Sequence, residues 1–234
     1  MRVRYYSPTL AVLMIFFAAA CTPNDAAAQQ SGGSEENIDL PDPLTDGEFS
    51  LERALAERRS IREFSGDPLD LETVSQLLWA TQGISDERGG LRTAPSAGAL
   101  YGLDTYIAVG EVDGMDAGLF RYDPEDHKLL PRGESDLHDS IVQAALGQSW
   151  IADASVVLII IGVPERLESR YRERAERYTI LEAGHAAQNL SLQAVALDLG
   201  STVVGAFSDS GIRELLDIPE EHIPLYVIPV GAPR

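Results

Sequence analysis

The chain has a single cysteine, Cys21, and a single lysine, Lys128, among its 234 residues. One thiol cannot close an internal disulfide, so no such staple holds the fold. Positive charge is scarce as well: 18 Lys and Arg stand against 37 Asp and Glu, for a formal net charge of -19. There is no general basic face to release counterions from phosphates, which excludes nucleic acid as a general partner. Loose adsorption to an anionic membrane surface is excluded on the same ground. Long apolar runs are also wanting. Leu10–Ala20 is unbroken, yet falls well below the roughly 20 apolar residues of a membrane span. What the chain does have is a 44% apolar share, normal for a globular protein with a real core.

Arg2 and Arg4 precede that apolar run and small residues close it, the pattern of a secretory signal. Two processing schemes fit. Cys21 leaves with the signal, cut after Ala28, or it is lipidated and becomes the mature N-terminus, as in bacterial lipoprotein signals. The second gives a signal peptide over residues 1–20 and membrane attachment only through a lipid on Cys21. The protein is then exported to the periplasmic face of the cell envelope. Residues 21–38 are small and polar, too poor in apolar surface to order themselves, and read as a flexible tether. The folded domain is expected over residues 39–234.

Ser50 and Asp70 are side chains that cap helix N-termini. They predict one helix from Ser50 through Arg59 and another after Asp70, stopped by Gly83. Strands are predicted over Thr105–Val109, Leu119–Tyr122, Lys128–Pro131 and Leu225–Val230. The continuous run Ser155–Val163 reads as a strand buried on both faces. A third helix is expected over Asp136–Leu146, and a long one from about Glu165 to Leu199, charged in its first half and apolar in its second. Thr202–Phe207 reads as a further strand. The sum is an α+β protein, a sheet built around a buried helix.

Against so acidic a background, RRSIREF (Arg58–Phe64) puts Arg58, Arg59 and Arg62 around Ser60. Arginine suits phosphate because its planar fork makes paired hydrogen bonds and keeps its charge. The alternative is a surface cluster neutralising Glu52, Glu57 and Glu63. The segment TAPSAGALYG, Thr93–Gly102, holds Pro95, Ser96 and Gly98 and suits close approach of another group; an ordinary loop has the same composition. In EAGHAAQN, Glu182, His185 and Asn189 share one helix face. Half of a di-iron ligand set looks like this, but the second half is missing, so a buried polar network is expected and no metal. Gly205 and Ala206 in VVGAF present backbone at a strand end, and Arg234 follows the final strand.

These segments in this order, RRSIREF, PSAGALYGLDTYIAV, LEAGHAAQNLSLQAVALDLG, VVGAF and LYVIPVGAPR, resemble the nitroreductase superfamily of flavin enzymes, over roughly residues 38–234. The SagB-type dehydrogenase branch is the most similar. The resemblance implies a nitroreductase-like fold with a mostly antiparallel central sheet around a long buried helix. It also implies non-covalent FMN in a homodimer with sites at the subunit interface. By motif, Arg58 and Ser60 match positions at the FMN phosphate and ribityl chain, Arg59 between them is counted with the cofactor-binding residues, and Arg62 matches the cation near the pyrimidine edge, where it would stabilise reduced flavin. Pro95, Ser96 and Gly98 match the segment one subunit lays against the other's cofactor. Gly205 and Ala206 match the backbone facing flavin N5, and Arg234 reaches toward the phosphate. The implied activity is two-step hydride transfer through N5 on a small organic substrate. One departure stands out: a Lys-Tyr pair of the peptide-azoline oxidases is Arg170-Tyr171 here. Arginine is a poor general base, which leaves Tyr171 as the catalytic proton donor or acceptor. Two other readings stay open, an envelope flavin-binding module without turnover and a lipoprotein scaffold that has lost the flavin.

Overall fold

The computed structural model describes residues 36–86 and 88–234. The expected signal peptide, Cys21 and most of the tether lie outside these residues.

In chain order the elements are β1 (Ile38–Asp39), α1 (Leu51–Glu57), α2 (Leu71–Gln82), β2 (Ile84–Asp86), β3 (Leu91–Arg92), β4 (Leu103–Val109), β5 (Gly118–Asp123), β6 (Lys128–Gly133), α3 (His138–Ala144), β7 (Val156–Gly162), α4 (Glu165–Tyr171), α5 (Ala175–Ala196), β8 (Gly200–Ser201), α6 (Asp209–Leu216) and β9 (Ile223–Gly231). Seven strands form one sheet in the order β1-β6-β5-β4-β7-β9-β8, and β2 and β3 make a small hairpin of their own. Every pairing in the sheet is antiparallel. The chain joins the fold one residue before the expected boundary, because Ile38 already pairs with Leu129.

β7 lies in the interior of the sheet, between β4 and β9, and all seven of its residues are buried. Side chains alternate across a strand, so Val156, Leu158 and Ile160 join one apolar cluster while Val157, Ile159 and Ile161 join another. The first cluster is closed by α2 and α5, through Val74, Leu77, Leu78, Ala183, Ala186, Ala187 and Leu190. The second is closed by α3 and α6, through Ile141, Ile212 and Leu216, together with Phe64 and Ile151. Each such aliphatic side chain contributes about 1.5–3 kcal/mol on full burial, so β7 anchors both layers. The capping prediction holds at both helix starts: Ser50 accepts from the Arg53 N–H and Asp70 from the Thr73 N–H.

Three predicted elements differ. The helix expected through Arg59 stops at Glu57, and Arg58 adopts extended backbone (φ -54, ψ 121). The long helix is broken, because Arg172 takes φ 51, ψ -128. Leu167 anchors α4 and Ala175 anchors α5, but no side chain between them is buried, so packing does not enforce continuous helix there. The strand expected over Thr202–Phe207 does not form: β8 lies just before it, and within it only Val204 pairs, with Val227. Its polar groups are divided: Val204 bonds β9, while the Thr202 hydroxyl donates to the Ile61 carbonyl.

Candidate functional site

The residues singled out in the sequence fall into two groups. The first gathers at the β8–β9 edge of the sheet. Past α1 the chain runs as a strap along that edge: Ser60 pairs with Ser201, and the Ile61 N–H donates to the Ser201 carbonyl at 3.0 Å. The strap is held from the other side by the end of the chain, where Phe64 pairs with Pro233 and the Arg234 N–H donates to the Glu63 carbonyl at 3.1 Å. Phe64 is fully buried and pins the segment to the core. Ser60, Arg62 and Arg234 are thereby fixed in backbone position while their side chains stay exposed.

The Arg62 guanidinium lies 5.7 Å from the Trp150 ring centroid, and Trp150 packs 6.5 Å from Phe64. Gln148 donates to the Ala206 carbonyl at 3.1 Å, which ties the Gly205–Ala206 backbone to the same region. A Cβ built on Gly205 would meet open space. Trp150 and Gln148 were not singled out in the sequence. The one signal available was an aromatic and an amide next to Gly147, in a stretch with neither helix nor strand periodicity.

The neutralising alternative for the arginines is not realised. Among the described residues, Arg53 takes Glu57 at 2.8 Å, and no ion pair involves Arg58, Arg59 or Arg62. Arg59 does stand apart. Its guanidinium turns back onto the Ala56 and Arg58 carbonyls at 2.9 and 2.7 Å, closing the C-terminus of α1 rather than facing outward with Arg62. Arg234 approaches Asp153 at 3.6 Å, with both side chains mostly exposed.

The second group surrounds the segment Thr93–Tyr101. The α5 face predicted as a buried polar network holds it at three successive points, but only Glu182 is buried: Asn189 is half-buried and His185 exposed, because the face turns outward along the Thr93–Pro95 segment. Glu182 accepts from the Ser96 hydroxyl at 2.6 Å, His185 contacts the Pro95 carbonyl at 3.3 Å, and Asn189 donates to the Thr93 carbonyl at 3.2 Å. Ser96 Oγ in turn accepts the Tyr101 N–H at 2.9 Å, so its proton points to Glu182. Burial pushes the Glu182 carboxyl above its ordinary range, against the pull of the Ser96 hydroxyl, the Gly102 backbone, the Arg92 charge and the Gln82 amide.

Gly98 has φ 63 and a Cβ there would stand 2.7 Å from Arg170 Nη1 and 2.9 Å from the Tyr171 hydroxyl. The absence of a side chain therefore admits Arg170 and Tyr171. The Tyr171 ring meets Tyr178 edge-on at 4.9 Å. No hydrogen bond or ion pair among the described residues joins this group to the first. No group of three His, Cys, Asp or Glu among the described residues is arranged to hold a metal ion.

Among the described residues, the arginine strap lines neither of two concavities found elsewhere, and the second group reaches one of them only through its end at Leu100 and Tyr101. A cavity of about 810 Å³ lies between Asp42, Trp79, Asp86, Arg88, Glu125 and His127. A neighbour of about 280 Å³ lies between Gln82, Arg92, Tyr101, Asp104, Arg121 and Arg166. The arginine strap and the Pro95–Gly98 segment are instead open surface.

Comparison with known proteins bears on what these surfaces are. The nitroreductase family model matches residues 55–232. The chain is 43% identical over 199 residues to the nitroreductase-type protein MJ1384 of Methanocaldococcus jannaschii, spanning 85% of this chain and 98% of that one. It is 26% identical over 192 residues to the trifolitoxin operon protein TfxC of Rhizobium leguminosarum bv. trifolii, spanning 76% of this chain and 54% of TfxC. The crystal structure of a nitroreductase-type protein from Ralstonia eutropha superposes with a TM-score of 0.76 at 32% identity, covering 87% of this chain and 92% of that one. With a family match running from α1 to the end of β9, the chain belongs to the nitroreductase family.

Proposed function

We propose that the protein is an FMN-dependent oxidoreductase that works as a homodimer and belongs to the SagB-type dehydrogenase branch of its family. Bound FMN supplies two-electron chemistry, accepting a hydride from a small organic donor and passing the electrons to a second substrate. The observation that carries this reading is the arginine strap. Among the described residues Arg58 and Arg62 have no carboxylate partner, in a chain of net charge -19, and they stand with the neutral donor Ser60 and the exposed Gly205 and Ala206. That donor set fits a phosphate with a planar ring system beyond it.

In this reading Arg58, Ser60 and Arg234 bind the phosphate side, and Arg62, stacked toward Trp150, places positive charge near the pyrimidine edge. Arg59 contributes by shaping the end of α1. Pro95, Ser96 and Gly98 cover the cofactor of the other subunit, which accounts for two half-sites on open surface in one chain. Apolar side chains left exposed on α1 and α5, Leu51, Leu55, Ile180 and Leu181, supply the contact between subunits. Tyr171 is the proton donor or acceptor at the substrate. The match to TfxC, a protein of a toxin operon, favours the SagB-type branch, while Arg170 in place of lysine speaks against azoline oxidation itself. The protein acts outside the cytoplasm, held to the envelope through Cys21.

The test is a visible absorption spectrum of the purified protein. FMN released on denaturation, together with the mass of a dimer in solution, is the expected result. A colourless protein that takes up no added FMN would overturn the proposal and leave a scaffold. Arg170 also favours one other reading, a flavin-binding module without turnover. It predicts a flavin that dithionite reduces and that NAD(P)H and other biological donors do not.

A further inference from the structure

Seven buried side-chain nitrogen or oxygen atoms among the described residues lack a hydrogen-bond partner. Three of them, Arg92 Nε, Thr105 Oγ1 and Arg121 Nε, belong to residues walling one 280 Å³ cavity, whereas Gln82 Nε2 in the same wall faces the Glu182 carboxyl. Buried polar groups without partners are rare in folded proteins, and each is costly. Their concentration in one cleft points to a ligand that accepts hydrogen bonds.

The cleft contains three arginines in different states. Arg166 is engaged three times, donating to the Tyr101 and Leu103 carbonyls at 3.1 Å each and to Asp104 at 2.8 Å. Arg121 shares Asp104 at 3.7 Å. Arg92 is left with a weaker counterion. Its side chain is only 10% exposed, stacked 4.4 Å from the Tyr101 ring, with Nη1 on Gln82 Oε1 at 3.2 Å. Its ion-pair partner among the described residues is Glu125 at 3.2 Å, whose side chain is 68% exposed at the tip of the β5–β6 turn.

The geometry of that contact is incomplete. Nε and Nη2 share one edge of a guanidinium, the fork that a carboxylate fills with two parallel hydrogen bonds. Glu125 takes Nη2 alone, and Nε has no partner. An exposed carboxylate on a turn, making half of the available contact with a fixed and buried arginine, gains little from it and is readily displaced. Glu125 also walls the neighbouring 810 Å³ cavity, so space for an attached organic body lies directly beyond it.

We propose that this cleft is a binding site for a small organic monocarboxylate, seated two-pronged on Arg92, and that Glu125 occupies the place of the ligand's carboxylate in the free protein. Asp104 and Asp123 in the same walls oppose a dianion such as phosphate.

The experiment is a titration of the full chain with acetate, followed on the arginine Nε–Hε signals and assigned by single Arg→Lys replacements. A saturable shift of the Arg92 signal is expected with acetate, and none with the neutral isostere acetamide. Glu125→Gln, an exposed substitution that leaves the walls intact, removes the competing carboxylate and is expected to tighten acetate about tenfold. Arg92→Gln is expected to abolish the response. A shift confined to Arg58 or Arg62 would place the anion at the sheet edge and overturn the proposal. So would an affinity unchanged by Glu125→Gln, equal binding of inorganic phosphate, or no saturation below about 100 mM in either protein.

Discussion

Two arginine clusters in this chain put the same side chain to opposite uses. At the β8–β9 edge, Arg58 and Arg62 are carried on a strap whose backbone is fixed by Ser201, Thr202 and the Pro233–Arg234 segment, and among the described residues neither makes an ion pair. In the cleft beside β4, Arg121 and Arg166 converge on Asp104, whose side chain is 12% exposed. In the first cluster the fold holds the chain and leaves the charge unmet. In the second the charges hold the fold. In so acidic a protein an unpaired exposed cation has many carboxylates to choose from, so the lack of one reflects placement by the backbone and not a shortage of partners.

The widest separation between the clusters is expected from removing Arg58 and Arg62 together. FMN affinity should fall about 100-fold or more, as two charge-assisted contacts are lost, while the unfolding free energy of the FMN-free protein in urea stays within about 0.5 kcal/mol of the parent. Equal FMN retention in Arg58→Ala/Arg62→Ala would mean that the cofactor is not held at the strap.

Asp104→Asn is the converse experiment. It leaves two largely covered guanidinium groups without their shared counterion and should cost about 2 kcal/mol, less than a fully buried pair because both arginines reach solvent. Chemical denaturation reads this directly, and FMN binding should not change.

Arg170 is an intermediate case, exposed but packed on Gly98 with Tyr171. Gly98→Ala should cost about 1–2 kcal/mol through its left-handed backbone. It should also move the tyrosine signals of Tyr171 and Tyr178 in an NMR spectrum. An unchanged spectrum would show that Gly98 does not seat them.

The smallest effect is expected at Glu182, which lies between the Ser96 segment and the second cluster. Burial raises its folded-state pKa above the unfolded value. The folded protein therefore binds this proton more tightly, and stability falls as pH rises from the ordinary glutamate range through the raised folded pKa. Glu182→Gln should flatten that part of the profile and make the protein more stable above it. A profile unchanged by the substitution would mean that another group titrates there.

Much of this architecture could be read from local pattern. SVVLIIIGV declared β7 by its length and β-branched content, and Ser50 and Asp70 declared their helices because a cap needs only a neighbour three residues on. The strap was legible as a cluster but not as a strap, since Ser201 and Pro233 lie far along the chain. The same distance concealed Asp104 with Arg121 and Arg166, whose partnership depends on strand register between β4 and β5. Arg172 gave no sign of its backbone conformation, because positive φ at a non-glycine residue follows from what packs on either side. Trp150 and Gln148 read as loop because their neighbours, Phe64 and Ala206, come from distant segments.

Both margins of the sheet are two-residue strands, β1 and β8, and unpaired strand margins are templates for association with other chains. At the β8 margin the arginine strap supplies the missing neighbour, pairing in parallel through Ser60 and presenting guanidinium groups outward. The segment assigned to holding a cofactor is thus also a guard against aggregation. Losing its charges would spare that guard's hydrogen bonds, whereas deleting the segment would uncover a margin ready to recruit a second, misfolded molecule.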